Sequence, residues 1–187
     1  MHDILMSISL ENSQYSFRQL YELYGGLVYR YVGLYVRDRG AVDEIVSDVF
    51  MALWNNRRSL QQISNFRGYV YRVAKFKAVD YIRKDKSRMT LCSDDMLELF
   101  AGTETSQEDD CISDETVREL NSAIETLPPK CRMAFKLVRE DKMKYKDAAE
   151  LMDISVKTLE SHIRIAMKKI FSVLGHSKKL GWKTEKT

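Results

Sequence analysis

Between Tyr145 and Ile170 the chain reads YKDAAELMDISVKTLESHIRIAMKKI, two helical patterns interrupted around Asp153. Ser155 stands where a helix N-cap belongs, its hydroxyl placed to accept an orphan amide of the first turn. After it, Val156, Leu159, Ile163, Ala166 and Ile170 recur at spacings of three and four and define one buried face. Lys157, Ser161, Arg164 and Lys168 fall on a second stripe, short and polar at its start and basic toward its end. That gradient suits a helix that reads base edges early and holds phosphates late. In the preceding segment, Lys146 to Met152, Ala149 permits close helix approach and Ile154 plugs the turn. Asp153 occupies the position where glycine is most comfortable, and aspartate tolerates the left-handed conformation better than most residues. The pattern is a helix-turn-helix with its second helix shaped for a DNA groove. The plainer alternative is an antiparallel helix pair with a solvated basic face.

A chain of 187 residues suffices for one medium domain or two small ones. Two prolines, eight glycines and abundant Leu, Ala, Lys, Glu and Arg favour an all-α protein. The net charge of +3 conceals a strong segregation. Residues 15–88 sum to about +7, 89–115 to about −9, 116–175 to about +4, the last twelve to about +3 and the first fourteen to about −2. Basic blocks favour nucleic acid; the acidic strip between them reads as a solvated linker or a nucleic-acid mimic. Cys92, Cys111 and Cys131 are widely spaced, without a CxxC pair or paired histidines, so neither a disulfide framework nor a zinc or other metal site is indicated. No cofactor and no catalytic residue is expected, because a phosphate-cradling glycine loop, a ligand cluster and a Cys/His nucleophile pattern are all missing. No apolar run approaches membrane-spanning length and the opening lacks a signal-peptide pattern, so a cytoplasmic protein is expected.

Taken in order, residues 1–14 show no clear pattern and are expected to fray or pack loosely. Phe17, Leu20, Tyr21, Tyr24, Leu27, Val28, Tyr31, Val32 and Tyr35 then form a broad aromatic stripe on one helix. A second helix, about 41–55, buries Val42, Ile45, Val46, Val49, Phe50, Leu53 and Trp54, leaving Asp43, Glu44, Ser47 and Asp48 off that face. These acids complement a helix dipole or form a docking surface. A third helix, about 65–84, interleaves aromatics with cations. Tyr69, Val70, Val73 and Ala74 suit a core, whereas Arg67, Tyr71, Arg72, Lys75, Phe76, Lys77, Arg83 and Lys84 cannot all be buried. Exposed aromatics among cations suit single-stranded nucleic acid, which offers a face to stack and a phosphate to neutralise at every nucleotide. Residues 89–115 hold no Lys or Arg and too little apolar surface to fold alone. A helix carrying Val117, Leu120, Ile124 and Leu127 then stops at Pro128-Pro129, and the next opens there with Met133, Ala134, Phe135, Leu137 and Val138. The expected organisation is a helical domain over 15–88, an acidic flexible linker over 89–115, a second helical domain over 116–175 and a basic tail over 176–187.

These segments resemble the extracytoplasmic-function subfamily of bacterial sigma-70 RNA polymerase sigma factors, over roughly Phe17 to Leu174. DEIVSDVFMALW resembles the region 2 helix that docks on the beta-prime clamp helices of core polymerase. NFRGYVYRVAKFKAVDYIRK resembles the segment that melts and reads the minus-ten element. LPPKCRMAFKL followed by YKDAAELMDISVKTLESHI resembles the region 4 domain that reads the minus-thirty-five element. The resemblance places Asp43, Glu44, Asp48 and Trp54 on the polymerase-binding helix. It places Arg67, Tyr71, Arg72, Lys75, Phe76, Lys77, Asp80 and Arg83 on the minus-ten segment, and Lys157, Thr158, Ser161, His162, Arg164 and Lys168 on the minus-thirty-five helix. Phe76 stands where the family usually has an asparagine lining a base pocket, which leaves the minus-ten preference open. Ile165 stands where a basic residue is common, implying one phosphate contact fewer.

The resemblance implies a factor that binds core polymerase through the clamp helices and the beta flap, engages promoter DNA, and is held by an anti-sigma factor without inserting into a membrane. Captured bases would offset the unstacking that opening requires, roughly a few kcal/mol per flipped base. The rival is a LuxR-like regulator that binds an operator as a dimer through its final domain. A receiver domain upstream would alternate strands and helices, and the N-terminal half has no strand-like runs.

Overall fold

The computed structural model describes residues 1–88 and 115–176, with side chains over 1–84 and 119–173. The acidic segment and the basic tail therefore lie, apart from their boundary residues, outside the described part, and so does the side chain of Val117. Every regular element among the described residues is helical, and they fall in two compact units.

The first unit holds α1 (His2–Glu11), α2 (Gln14–Val32), α3 (Arg39–Asn55), a 3-10 helix (Arg57–Gln62) and α4 (Phe66–Arg88). Three of these helices start on side-chain caps. Ser13 Oγ accepts from Ser16 N at 3.2 Å, Asp38 Oδ1 from Ala41 N at 2.8 Å, and Asn65 Oδ1 from Gly68 N at 3.0 Å. Each satisfies an amide that the helix leaves without a partner. Leu20, Val28, Tyr31 and Val32 of α2 pack with Val42, Ile45, Val46, Val49, Phe50 and Leu53 of α3 and with Val70, Tyr71, Ala74, Ala78 and Ile82 of α4. Edge-on ring pairs run through this core: Phe17 on Trp54 at 4.9 Å, Tyr24 on Phe66 at 5.4 Å and Tyr31 on Tyr71 at 4.8 Å between centroids. Such pairs add about 0.5 to 1.5 kcal/mol each beyond their buried area.

The N-terminus departs from expectation. Residues 2–11 form α1, which buries Leu5 and Ile8 against the 3-10 helix and its Leu60. Ser9 Oγ donates to the Arg57 carbonyl at 2.6 Å and accepts from Gln61 N at 3.3 Å, while Arg57 Nε donates to Asn12 Oδ1 at 2.6 Å. The polar connection NNRRSLQQIS is thus the floor on which α1 rests.

The second unit comprises α5 (Glu115–Glu125), α6 (Pro129–Phe135), a π-helical segment (Lys136–Glu140), α7 (Tyr145–Leu151) and α8 (Val156–His176). Pro129 occupies the first turn of α6, where its missing N–H costs nothing. Ala123, Ile124 and Leu127 meet Cys131 and Phe135 of α6 and Ala166 and Ile170 of α8 in one cluster. Arg132 closes the corner between α5 and α6. Its guanidinium donates to the Glu125 carboxylate at 2.9 Å, to the Leu127 carbonyl at 3.3 Å and to the Glu125 carbonyl. Ala148 and Ala149 are buried where α7 meets α8.

Candidate nucleic-acid interface

The turn between α7 and α8 is built by two local devices. Asp153 adopts the left-handed conformation, φ 53°, and Ser155 Oγ accepts from Thr158 N at 3.0 Å. Leu159, Ile163, Ala166 and Ile170 are buried as expected, but Val156, the first residue of α8, is 40% exposed.

Lys157, Thr158, Arg164 and Lys168 are exposed and Ser161 half-buried on the opposite side of α8. The hydroxyls of Thr158 and Ser161 are engaged within the helix, Thr158 with Ser155 Oγ at 2.8 Å and Ser161 donating to the Lys157 carbonyl at 3.1 Å. Each oxygen keeps acceptor capacity toward a base edge. His162 leaves this row. Its Nδ1 lies 3.6 Å from Cys131 Sγ on α6, so its ring is turned to the interior of the unit. Burial first, and then the Lys130 charge, lower the pKa of His162, while burial raises that of Cys131 against a smaller lowering by Lys169. Lys169 donates to the carbonyl of Thr126, just past the end of α5, at 2.9 Å and is likewise outside the row.

On α4, the expectation that Tyr71 stands exposed for stacking is overturned. Tyr71 is 1% exposed and packed edge-on against Tyr31, whereas Phe76 is 69% exposed. Five residues along a helix turn a side chain by about 140°, which separates the two aromatics onto opposite faces. Phe76 has Arg72 one turn before it and Arg83 two turns after it, both exposed, with Lys75 half-buried alongside. Asp80 sits on the flank of this row and pairs with Lys84 at 2.9 Å, which raises the Lys84 pKa through that hydrogen bond and charge. Arg67 is half-buried near Tyr24, whose phenol pKa is raised by burial and partly lowered by the Arg67 charge.

On α3, Glu44 and Asp48 share one exposed face with Met51, an apolar side chain 60% exposed that the sequence pattern did not single out. Asp43 is exposed but lies about 140° around the helix from Asp48. Trp54 is not part of this face. It is half-buried between Phe17 and the Arg57 guanidinium, 4.7 Å above its ring, so the indole serves the junction of α2, α3 and the 3-10 helix. Lys77, also assigned to the single-strand row, pairs instead with Asp48 of α3 at 3.3 Å.

Family models match both units: Sigma-70 region 2 over residues 20–88 and Sigma-70 region 4 over residues 117–170. Among curated proteins, the ECF RNA polymerase sigma factor SigM of Bacillus subtilis is 25% identical over 143 residues, covering 76% of this chain and 85% of its own. The chain belongs to the ECF sigma factors. It is an RNA polymerase sigma factor of this type, with region 2 and region 4 in its two units. The ECF RNA polymerase sigma-E factor of Escherichia coli K12 is 28% identical to this sigma factor over 167 residues, covering 86% of this chain and 87% of that one. Two solved structures share its fold. The sigma factor RpoE of Bartonella quintana, in complex with the anti-sigma factor NepR, matches with a TM-score of 0.63 at 16% identity over 85% of this chain and 96% of that one. CnrH, in complex with the cytosolic domain of CnrY, matches with a TM-score of 0.58 at 19% identity over 95% and 98%. No helix among the described residues is long and apolar enough to cross a membrane.

Proposed function

We propose that this sigma factor divides promoter recognition between its two units. Lys157, Thr158, Ser161, Arg164 and Lys168 of α8 read the minus-thirty-five duplex, and Arg72, Lys75, Phe76 and Arg83 of α4 hold the unpaired minus-ten strand. Glu44 and Asp48 of α3, with Asp43 on its other flank, dock on the basic surface of core polymerase. The acidic residues 89–115 are the linker that joins the two units in sequence. The exposed ring of Phe76 between Arg72 and Arg83 carries this reading, because an aromatic among cations stacks on a splayed base and has little use on an intact duplex. Bond formation belongs to the polymerase; this chain positions and opens the template, in the cytoplasm where both are found. The anti-sigma factor bound to RpoE in the Bartonella complex supports an inhibitory partner for this chain as well.

The test adds the purified chain to core polymerase and a cognate promoter. Association with core and permanganate-reactive thymines near the start site are expected. A chain that ignores core polymerase yet binds duplex operators tightly as a dimer belongs to the regulator reading instead.

A further inference from the structure

Ile165 is 47% exposed, and unlike Val156 it is not at the start of α8 but well inside the helix. At 100° per residue it points about 160° away from the buried Ile163, into the row that holds Ser161 one turn earlier and Lys168 one turn later. Arg164 is exposed beside it. The packed face of α8 is formed by Leu159, Ile163, Ala166 and Ile170, and Ile165 stays outside it. A single exposed aliphatic residue on an ordinary surface needs no explanation. This one stands on the surface that enters the groove.

An isoleucine can neither donate nor accept a hydrogen bond, so it distinguishes base pairs only by apolar contact. Only thymine carries a methyl group on its major-groove edge, at C5, where cytosine has a bare C–H; the rest of that edge presents acceptors on guanine and an amino donor on cytosine. Covering either of those with an aliphatic side chain strands a polar group without a partner. We propose that Ile165 reads a thymine 5-methyl group in the upstream promoter element. The proposal rests on the reading of α8 as the groove-bound helix. It assigns base discrimination to a position where a cation would supply a sequence-independent phosphate contact. Lys157, Arg164 and Lys168 supply the charge that brings the duplex to it.

The test uses holoenzyme and a duplex enriched by that holoenzyme from a random upstream library, at a temperature that keeps the promoter closed. Deoxyuridine replaces thymidine within the upstream element alone, which removes the methyl groups and leaves every Watson–Crick pair intact. Wild type is expected to lose roughly fourfold in affinity, the worth of one buried methyl-sized group. Ile165→Ala should bind both duplexes equally, and Ile165→Val should retain part of the discrimination. An undiminished thymine preference in Ile165→Ala, equal binding of both duplexes by wild type, or enriched elements without A·T pairs would each overturn the proposal. A scrambled upstream element separates the two levels. If scrambling costs wild type nothing, the groove reading of α8 falls and the methyl contact with it; if scrambling costs affinity while deoxyuridine does not, only the methyl contact falls.

Discussion

Lys77 of α4 reaches Asp48 of α3, Nζ to Oδ2 at 3.3 Å, tying the helix proposed to capture the single strand to the helix proposed to dock on polymerase. Asp48 is exposed and Lys77 half-buried, and a pair with one partner in solvent contributes about 0 to 1 kcal/mol. Lys77→Ala is therefore expected to leave the melting temperature nearly unchanged. Asp48→Ala should match it in stability but weaken association with core polymerase, measured by titrating labelled factor with core. Equal losses of core affinity in the two variants would show that the ion pair, rather than a free carboxylate, is what polymerase needs.

Phe76 and Tyr71 offer a contrast within one helix. Phe76→Ala should fold normally, since the ring is largely in solvent, and should lower the open-complex fraction, stacking on one base being worth about 1 to 3 kcal/mol. Tyr71→Ala should instead destabilise the first unit by about 3 to 5 kcal/mol, as loss of a buried aromatic does. Permanganate footprints report the first effect and urea unfolding the second. A stably folded Tyr71→Ala with a selective opening defect would restore Tyr71 to the DNA-binding row.

For α8, Arg164→Ala and Lys157→Ala separate base reading from phosphate binding. Loss of a base contact is expected to cost about 1 to 3 kcal/mol and relax preference at one position, whereas loss of a phosphate contact weakens all sequences alike. Affinities across single-base variants of the upstream element distinguish the two. If both substitutions leave every variant unchanged, this face of α8 does not touch the promoter.

The burial of His162, with the Lys130 charge nearby, is expected to make the second unit sensitive to acid. The pKa of His162 in the folded chain is held below its ordinary value of 6.5, chiefly by burial. Between those two values the unfolded chain binds more protons than the folded one, so stability rises with pH through that window. It is present above about pH 6.5, the unfolded value, and is lost as pH falls through the folded value. The thermal midpoint of the second unit is thus expected to fall on acidification from neutral pH, and to fall less in His162→Gln. An identical pH profile in the variant would remove His162 as the cause.

The Ser155 cap, the left-handed Asp153, the Pro129 start of α6 and the buried row Leu159, Ile163, Ala166 and Ile170 were all legible in the sequence, because each depends on groups within a few residues along the chain. The same locality exposed the all-helical class, and three segments in their order carried the family resemblance. Tertiary packing alone decided which member of a mixed pattern turns inward. Apolar and aromatic side chains occur all around α4, and packing in the first unit, with the Tyr31 ring of α2 against Tyr71, buries Tyr71 and leaves Phe76 outside. Trp54 is drawn from the docking face by Phe17 and Arg57, and His162 from the DNA row by Cys131, 31 positions earlier in the chain. Helix α1 is the extreme case. Its short pattern has no strong local signal, and it forms where Leu60, Arg57 and Gln61, about fifty residues away, supply the apolar floor and hydrogen-bond partners that its own sequence lacks.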